Sequence, residues 1–417
     1  MMLEPDSYEH DLLNRASLDH CVKCTICETQ CPVAAVTPKF SGPKYVGPQA
    51  ERYRNGESVD QSLDYCSSCG ICTHVCPQGV HIAELNSVAR AAMKKDHMPL
   101  RDQLISRTTF MGMAMTPVAP IANAVLKFKP ARIAVEKVVG IHRDAAMPTA
   151  HMQTLVGWLR GRTAPAPGSR GKLIFFHGCA QNYFEVETGV KTIEVLEHLG
   201  FEVIVPKQGC CGLPLQSNGL FDTARSWIRR LVAQLREAPQ DLPIIACSTS
   251  CGGMLKHEAN EILGVKDADL LEVGGRTRDI CEFLLEMYDN GELDTNDWIE
   301  NQLTVPYHAP CQLRGQNIGT PAIQLMELIP GVTVIESGAY CCGIAGTYGL
   351  KKEKYDIAMK VGKPVFDKIV AVNEGIATCD SETCRWQIEQ ATSVPTVHPI
   401  ALIHQAMGLS KVPVRAD

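Results

Sequence analysis

The chain has 417 residues, 45% hydrophobic and 21% charged, with a net charge of −6. At about 150 residues per domain this gives two to three globular domains and excludes disordered and collagen-like classes. The acidic balance argues against a nucleic-acid partner, which calls for a basic surface.

Met1 to Leu13 carries Glu4, Asp6, Glu9 and Asp11. It has neither a basic n-region nor an apolar h-region, so no signal peptide is read there. The chain is expected in the reducing cytoplasm. There, the 19 clustered cysteines point to metal ligands rather than disulfides.

The first eight cysteines fall in two groups: Cys21, Cys24, Cys27, Cys31 and Cys66, Cys69, Cys72, Cys76. Each member of the second lies 45 residues after its counterpart, and both groups end in Cys-Pro. This C-x₂-C-x₂-C-x₃-C-P spacing is the bacterial two-cluster ferredoxin pattern. Three close thiolates cap one cube, and the fourth, ahead of proline, ligates the other. Cys21, Cys24, Cys27 and Cys76 are assigned to one [4Fe–4S] cluster; Cys66, Cys69, Cys72 and Cys31 are assigned to the second. A pair of zinc sites is the alternative, although zinc favours sets built from two C-x₂-C pairs. Residues 1–89 are read as an α+β, helical-type two-cluster ferredoxin domain.

Residues 90–172 form a connector with 14 basic and 4 acidic side chains, a net +10 in an otherwise acidic chain. Its longest uncharged apolar stretch, Phe110 to Leu126, is 17 residues long and holds Gly112, Pro117 and Pro120. A spanning helix needs about 20 unbroken residues, so no transmembrane helix is read. Cations beside Phe110, Met111, Met113, Met115, Leu126 and Phe128 suit the headgroup region of a membrane surface. A basic linker packed on the acidic remainder is the alternative. Gly161 to Gly171 is linker-like.

The later cysteines repeat as well. Cys179, Cys210, Cys211, Cys247 and Cys251 match Cys311, Cys341, Cys342, Cys379 and Cys384 at offsets of 131 to 133, and His177 matches His308. Cys281 has no counterpart and reads as a core residue. In the first copy, strand-type runs at Leu173–His177, Phe201–Val205 and Pro243–Ala246 alternate with helical runs at Glu185–Leu199 and Thr223–Glu237. In the second, Thr304–Tyr307, Ala322–Leu328 and Val332–Ile335 follow the same order. Residues 173–300 and 301–417 are therefore read as a duplicated α/β unit with mostly parallel sheets. Its cysteines stand at strand carboxyl ends, where sites collect. Cys179, Cys210, Cys211 and Cys251 suffice for one metal centre, and Cys311, Cys341, Cys342 and Cys384 for another. Cys247 and Cys379 are candidate extra ligands. Adjacent cysteines suit an unusual iron–sulfur cluster, zinc or dithiol chemistry. Gly212 and Gly343 let the backbone turn close to such a site.

No strand–GxGxxG–helix unit, P-loop or H-E-x-x-H is present, so neither a flavin nor an NAD site is read. The chain is expected to carry electrons and to leave the two-electron chemistry to a partner.

Paired ferredoxin motifs followed by two Cys-Cys-Gly repeats resemble the heterodisulfide reductase and glycolate oxidase iron–sulfur subunit superfamily. Within it, the strings CVKCTICETQCPV (21–33), GPKYVGPQAER (42–52), FFHGCAQNYF (175–184), CCGLPLQSNG (210–219), CCGIAGTYGLKKEKY (341–355) and ETCRWQIEQATS (382–393) are similar to the family of C subunits of anaerobic glycerol-3-phosphate dehydrogenases. The resemblance implies a flavin-containing dehydrogenase subunit and a second small subunit as partners. It implies electron transfer to membrane quinone, usually menaquinone, and a peripheral place on the cytoplasmic face of the cell membrane. An iron–sulfur subunit of a glycolate or lactate oxidase, a thiol–disulfide enzyme and a scaffold with structural metals are the alternatives. The chain departs from the superfamily pattern where a repeat often closes with C-x-x-C: Ser248 and Ser381 stand there, and heterodisulfide reduction is not carried over.

Overall fold

Residues 16–49, 60–95, 98–163, 165–166, 168–372 and 374–409 are described by the structure, a computed structural model. The acidic stretch Met1 to Leu13 lies outside them.

Two four-stranded parallel sheets form the body. The strands are β1 (Lys172–Phe176), β2 (Glu202–Ile204), β3 (Ile244–Ala246), β4 (Thr277–Asp279), β5 (Leu303–His308), β6 (Val332–Glu336), β7 (Ala377–Cys379) and β8 (Thr396–Val397). Their orders are β2-β1-β3-β4 and β6-β5-β7-β8. The second order is the first displaced by one repeat, so the cysteine offset is a duplication of topology. β1 is buried along Leu173 to Phe176, as expected of a central parallel strand covered on both faces. The sequence reading missed β4, β7 and β8. They are two or three residues long, too short to show periodicity.

The repeats interlock. Helix Ile280–Asp289, after β4, packs on helix Pro321–Glu327 of the second repeat. Helix Ile400–Ala406, after β8, packs on helix Val186–His198 of the first. One core runs through both and includes Ile193, Leu196, Leu284, Leu325, Met326, Leu402 and Ile403. Each such side chain contributes about 1.5–3 kcal/mol on burial, so neither repeat is expected to stand alone without exposing this seam.

The N-terminal region repeats at the backbone level too. Lys23 and Thr25 have φ of +59° and +69°; 45 residues later Ser68 and Gly70 have +55° and +77°. Left-handed residues flanking each middle cysteine fold the loop around one point. Short helices Ile26–Thr29 and Ile71–His74 then carry Cys27 and Cys72.

The connector is helical where the sequence was expected to break. Helix Thr108–Met115, a tight turn Thr116–Val118 and helix Ala119–Lys127 follow without interruption. Pro117 and Pro120 sit in the first turns of their segments, where a missing N–H costs nothing. By length and composition alone this run of 20 residues suffices to cross a membrane. Its first residue is nevertheless tied to the body, and its second helix to the following loop of the connector. Thr108 reaches Cys179 at 3.1 Å, and the Asn123 side chain exchanges two 2.9 Å hydrogen bonds with the backbone of Ala150. Helix Lys129–Val138 packs back on it.

Candidate metal centres and the cavity between them

The first ferredoxin set closes around one small cavity. Cys21, Cys24, Cys27 and Cys76 line it together with Lys44, Pro77 and Val80. Cys24 is exposed and Cys27 buried. Burial, with the neighbouring Glu28, Cys76, Cys21 and Cys24, pushes the Cys27 thiol up to about 11. In the second set Cys72 lies in the field of Cys66, Cys69 and Cys31. Backbone amides point at the sulfurs: Ala34 N–H at Cys31, Ser68 N–H at Cys66 and Val80 N–H at Cys76, at 3.4–3.5 Å. Buried thiols resist ionising, and sulfur-directed amides favour thiolates, so these pockets suit cation-bound rather than free sulfur.

The two later sets face a single cavity. Its wall includes Cys179, Cys210, Cys211 and Cys251 from the first repeat and Cys311, Cys341, Cys342 and Cys384 from the second. Cys69 of the ferredoxin region also lines it, and burial, then the charge of Cys341, raises the cost of ionising Cys69. The four cysteine sets therefore form a series: the first set, with Cys24 exposed, the partly buried second, the second repeat, then the first repeat across the cavity.

The local geometry is alike in both repeats. Cys179 and Cys210 sulfurs are 3.5 Å apart, and those of Cys211 and Cys251 are 3.2 Å apart. Gly212 N–H and Gly343 N–H donate to Cys210 and Cys341 at 3.4 and 3.3 Å. Hydrogen bonds from Cys179 and Cys211 hold the Cys210 thiol well below its ordinary value; Cys311 and Cys342 do the same for Cys341. Gly212 and Gly343 have φ of +87° and +90°. A Cβ on Gly343 would meet the Ala358 carbonyl, so no other residue fits this turn. Ser248 caps the helix bearing Cys251, accepting from its N–H at 3.4 Å and donating to Glu382 at 3.2 Å. The serine that departs from C-x-x-C is thus a helix cap.

The candidate extra ligands behave differently. Cys247 is not brought to the cavity; it is buried in the core shared by the two repeats. Cys379 hydrogen-bonds Cys384 and is the better placed of the pair.

Sequence reasoning missed two contributors. His308 lies with Cys342 and Cys384 in a buried trio whose ligand atoms fall within 4.8 Å of one another. Its Nδ1 meets Ser337 Oγ at 3.0 Å, and its Nε2 is buried with no hydrogen-bond partner. The offset to His177 marked this position, though not its role. Thr108 Oγ1 lies 3.1 Å from Cys179 and 3.7 Å from Cys210. Nothing in the sequence links a connector threonine to a cysteine 71 residues away.

A polar seam holds the parts around the cavity. Lys351 Nζ, 4% exposed, donates to Asp102 Oδ2 and Asn218 Oδ1, each at 2.7 Å. Arg90 donates to the Cys66 carbonyl at 2.7 Å and the Ser217 carbonyl at 2.8 Å. Much of the connector's charge is used this way: Arg101 pairs with Asp102 and Glu353, Arg162 with Glu197, and Lys94 with Asp64. The basic-linker reading therefore holds for these cations.

Comparison with known proteins agrees with this layout. Residues 17–80 match the 4Fe-4S dicluster domain, and residues 173–256 and 305–389 match the Cysteine-rich domain. The C subunit of the anaerobic glycerol-3-phosphate dehydrogenase of Escherichia coli (strain K12) is 37% identical over 404 residues, covering 95% of this chain and 100% of that protein. The B subunit of the fumarate reductase (CoM/CoB) of Methanothermobacter marburgensis is 31% identical over 54% of this chain and 42% of its own length. Lactate utilization protein A 1 of Bacillus mycoides is 29% identical over 43% of this chain and 74% of its own length. The chain belongs to the family of anaerobic glycerol-3-phosphate dehydrogenase C subunits, iron–sulfur proteins with a dicluster region and two cysteine-rich repeats.

Proposed function

We propose that the chain is the iron–sulfur electron-transfer subunit of an anaerobic sn-glycerol-3-phosphate dehydrogenase. It receives electrons from a flavin-bearing subunit, works beside a second small subunit, and delivers electrons to menaquinone in the membrane. The observation that carries this reading is the series of four cysteine sets from an exposed end to a buried cavity. Bound iron–sulfur clusters supply one-electron chemistry. The protein's part is to place them in sequence and aim amides at their sulfurs.

Docking on the cytoplasmic face of the membrane belongs to the same proposal. Phe110, Met113, Val118, Ile121, Val125 and Phe128 are 45–67% exposed along one helical run. Lys127, Lys129 and Lys137 are exposed beside them. A run tied to the body at Thr108 and to its own connector at Asn123 lies along a surface.

The test is to reconstitute the chain with its flavin partner and follow bleaching of its visible absorbance. Glycerol 3-phosphate is expected to bleach it. Bleaching by lactate or glycolate alone would move the assignment to a 2-hydroxy-acid oxidase. Disulfide turnover by the isolated chain, lost on Cys211→Ser or Cys342→Ser, would replace both with thiol chemistry.

A further inference from the structure

Cys281 has no counterpart in the repeat pattern, and it does not line the cavity. It sits instead at the seam between the repeats, in the first turn of helix Ile280–Asp289. Asp279, at the end of β4, precedes it; Asp380, just after β7, approaches from the other repeat. One ligand atom from each of Asp279, Cys281 and Asp380 lies within 4.8 Å of the other two. The three residues are 4%, 0% and 0% exposed.

Each carboxylate uses one oxygen structurally and leaves the other free. Asp279 Oδ1 caps the helix, accepting from Cys281 N–H at 2.8 Å. Asp380 Oδ2 accepts from Tyr307 O–H at 2.6 Å. Asp279 Oδ2 and Asp380 Oδ1 are buried and have no hydrogen-bond partner among the described residues. A buried, unpaired acceptor costs about 1–3 kcal/mol and a charged one more.

The neighbouring cations are committed elsewhere. Arg385 is bound to Glu185 at 2.6 Å and to the carbonyls of Cys379 and Asp380. Lys256 is bound to Glu282 at 2.8 Å. Two carboxylates and a thiol thus converge with no cation of the protein between them.

We propose that Asp279, Cys281 and Asp380 supply three ligands of a structural zinc site that pins the first repeat to the second, a water or a second carboxylate oxygen completing its four-coordinate shell. The mixed donor set selects the metal. Zinc accepts cysteine sulfur and carboxylate oxygen together, whereas calcium and magnesium take oxygen alone. The position explains the choice of residues: two ligands come from the last strand and helix of the first repeat, and one follows a central strand of the second. The site is separate from the eight ferredoxin cysteines and from those of the shared cavity, and it does not depend on which substrate the partner oxidises.

The test is metal analysis of the full chain, purified anaerobically with its iron in place, joined to zinc-edge X-ray absorption. The expected result is one zinc per chain. Its shell should hold one sulfur at about 2.3 Å and oxygens at about 2.0–2.2 Å. Cys281→Ala and Asp380→Asn should each lose that zinc while iron and acid-labile sulfide stay at the wild-type level, which also reports that the variants have folded. Absence of zinc from the wild type overturns the proposal and leaves a proton shared by the two carboxyls. An all-sulfur shell overturns it by placing zinc at a cysteine set. Zinc retained in Cys281→Ala overturns it as well. Should either variant fail to fold, the wild-type shell alone decides.

Discussion

Two thiolates side by side in an apolar wall need a cation, and this chain sets adjacent cysteines in such a wall twice. Cys210 and Cys341 each receive hydrogen bonds from two other cysteines and a glycine amide. Four buried thiolates would repel one another without a metal among them, so the donor set itself argues for an occupied site. His308, within 4.8 Å of Cys342 and Cys384, distinguishes the second repeat. Away from the sulfurs, Asp102 is the residue on which the parts converge. Burial would push its carboxyl up, yet Lys351, Lys94 and Arg101 hold it down to about 2. Asp102→Ala should cost about 3–5 kcal/mol, because it leaves Lys351 buried without its acid. Adding Lys351→Met should recover much of that loss, since the pair would then be replaced by apolar surface. Denaturant midpoints measured with clusters intact would check this; additive losses would show that the two residues act independently.

Elements were legible in proportion to their periodicity. The helices Val186–His198 and Phe221–Leu235 fall within two residues of the boundaries expected from spacing, because each has one apolar face over three or more turns. The short strands β4 and β8 were illegible, since two or three residues fit either period. The connector was misjudged through its prolines. Pro117 and Pro120 open helical segments rather than ending them, and a run expected to be broken became a continuous apolar face. Three exposed lysines near an anionic surface contribute about 1 kcal/mol each. An inserted Phe or Ile contributes about 1.5–3 kcal/mol. Replacing Phe110 and Ile121 together by aspartate should therefore weaken binding to anionic vesicles at least tenfold in co-sedimentation, with iron content unchanged. Undiminished binding would remove this face from the membrane assignment.

At the scale of the molecule, cysteine arithmetic carried most of the reading. Offsets of 45 and about 131 residues are reproduced as matching left-handed turns in the first region and matching sheet orders in the second. Spacing could not show that both later sets open on one cavity, that Cys69 stands in its wall, or that Cys247 turns away into the shared core. Those facts depend on how the repeats interlock, and contacts between residues more than a hundred positions apart leave no local trace. The resulting series of sites makes electron conduction through all four sets the central claim. Iron and acid-labile sulfide per chain, after strictly anaerobic purification, test it most directly. Two ferredoxin cubes account for about eight irons. Conduction through the cysteine-rich repeats predicts a value clearly above eight, with sulfide in step; eight or fewer would contradict it and leave the shared cavity without clusters.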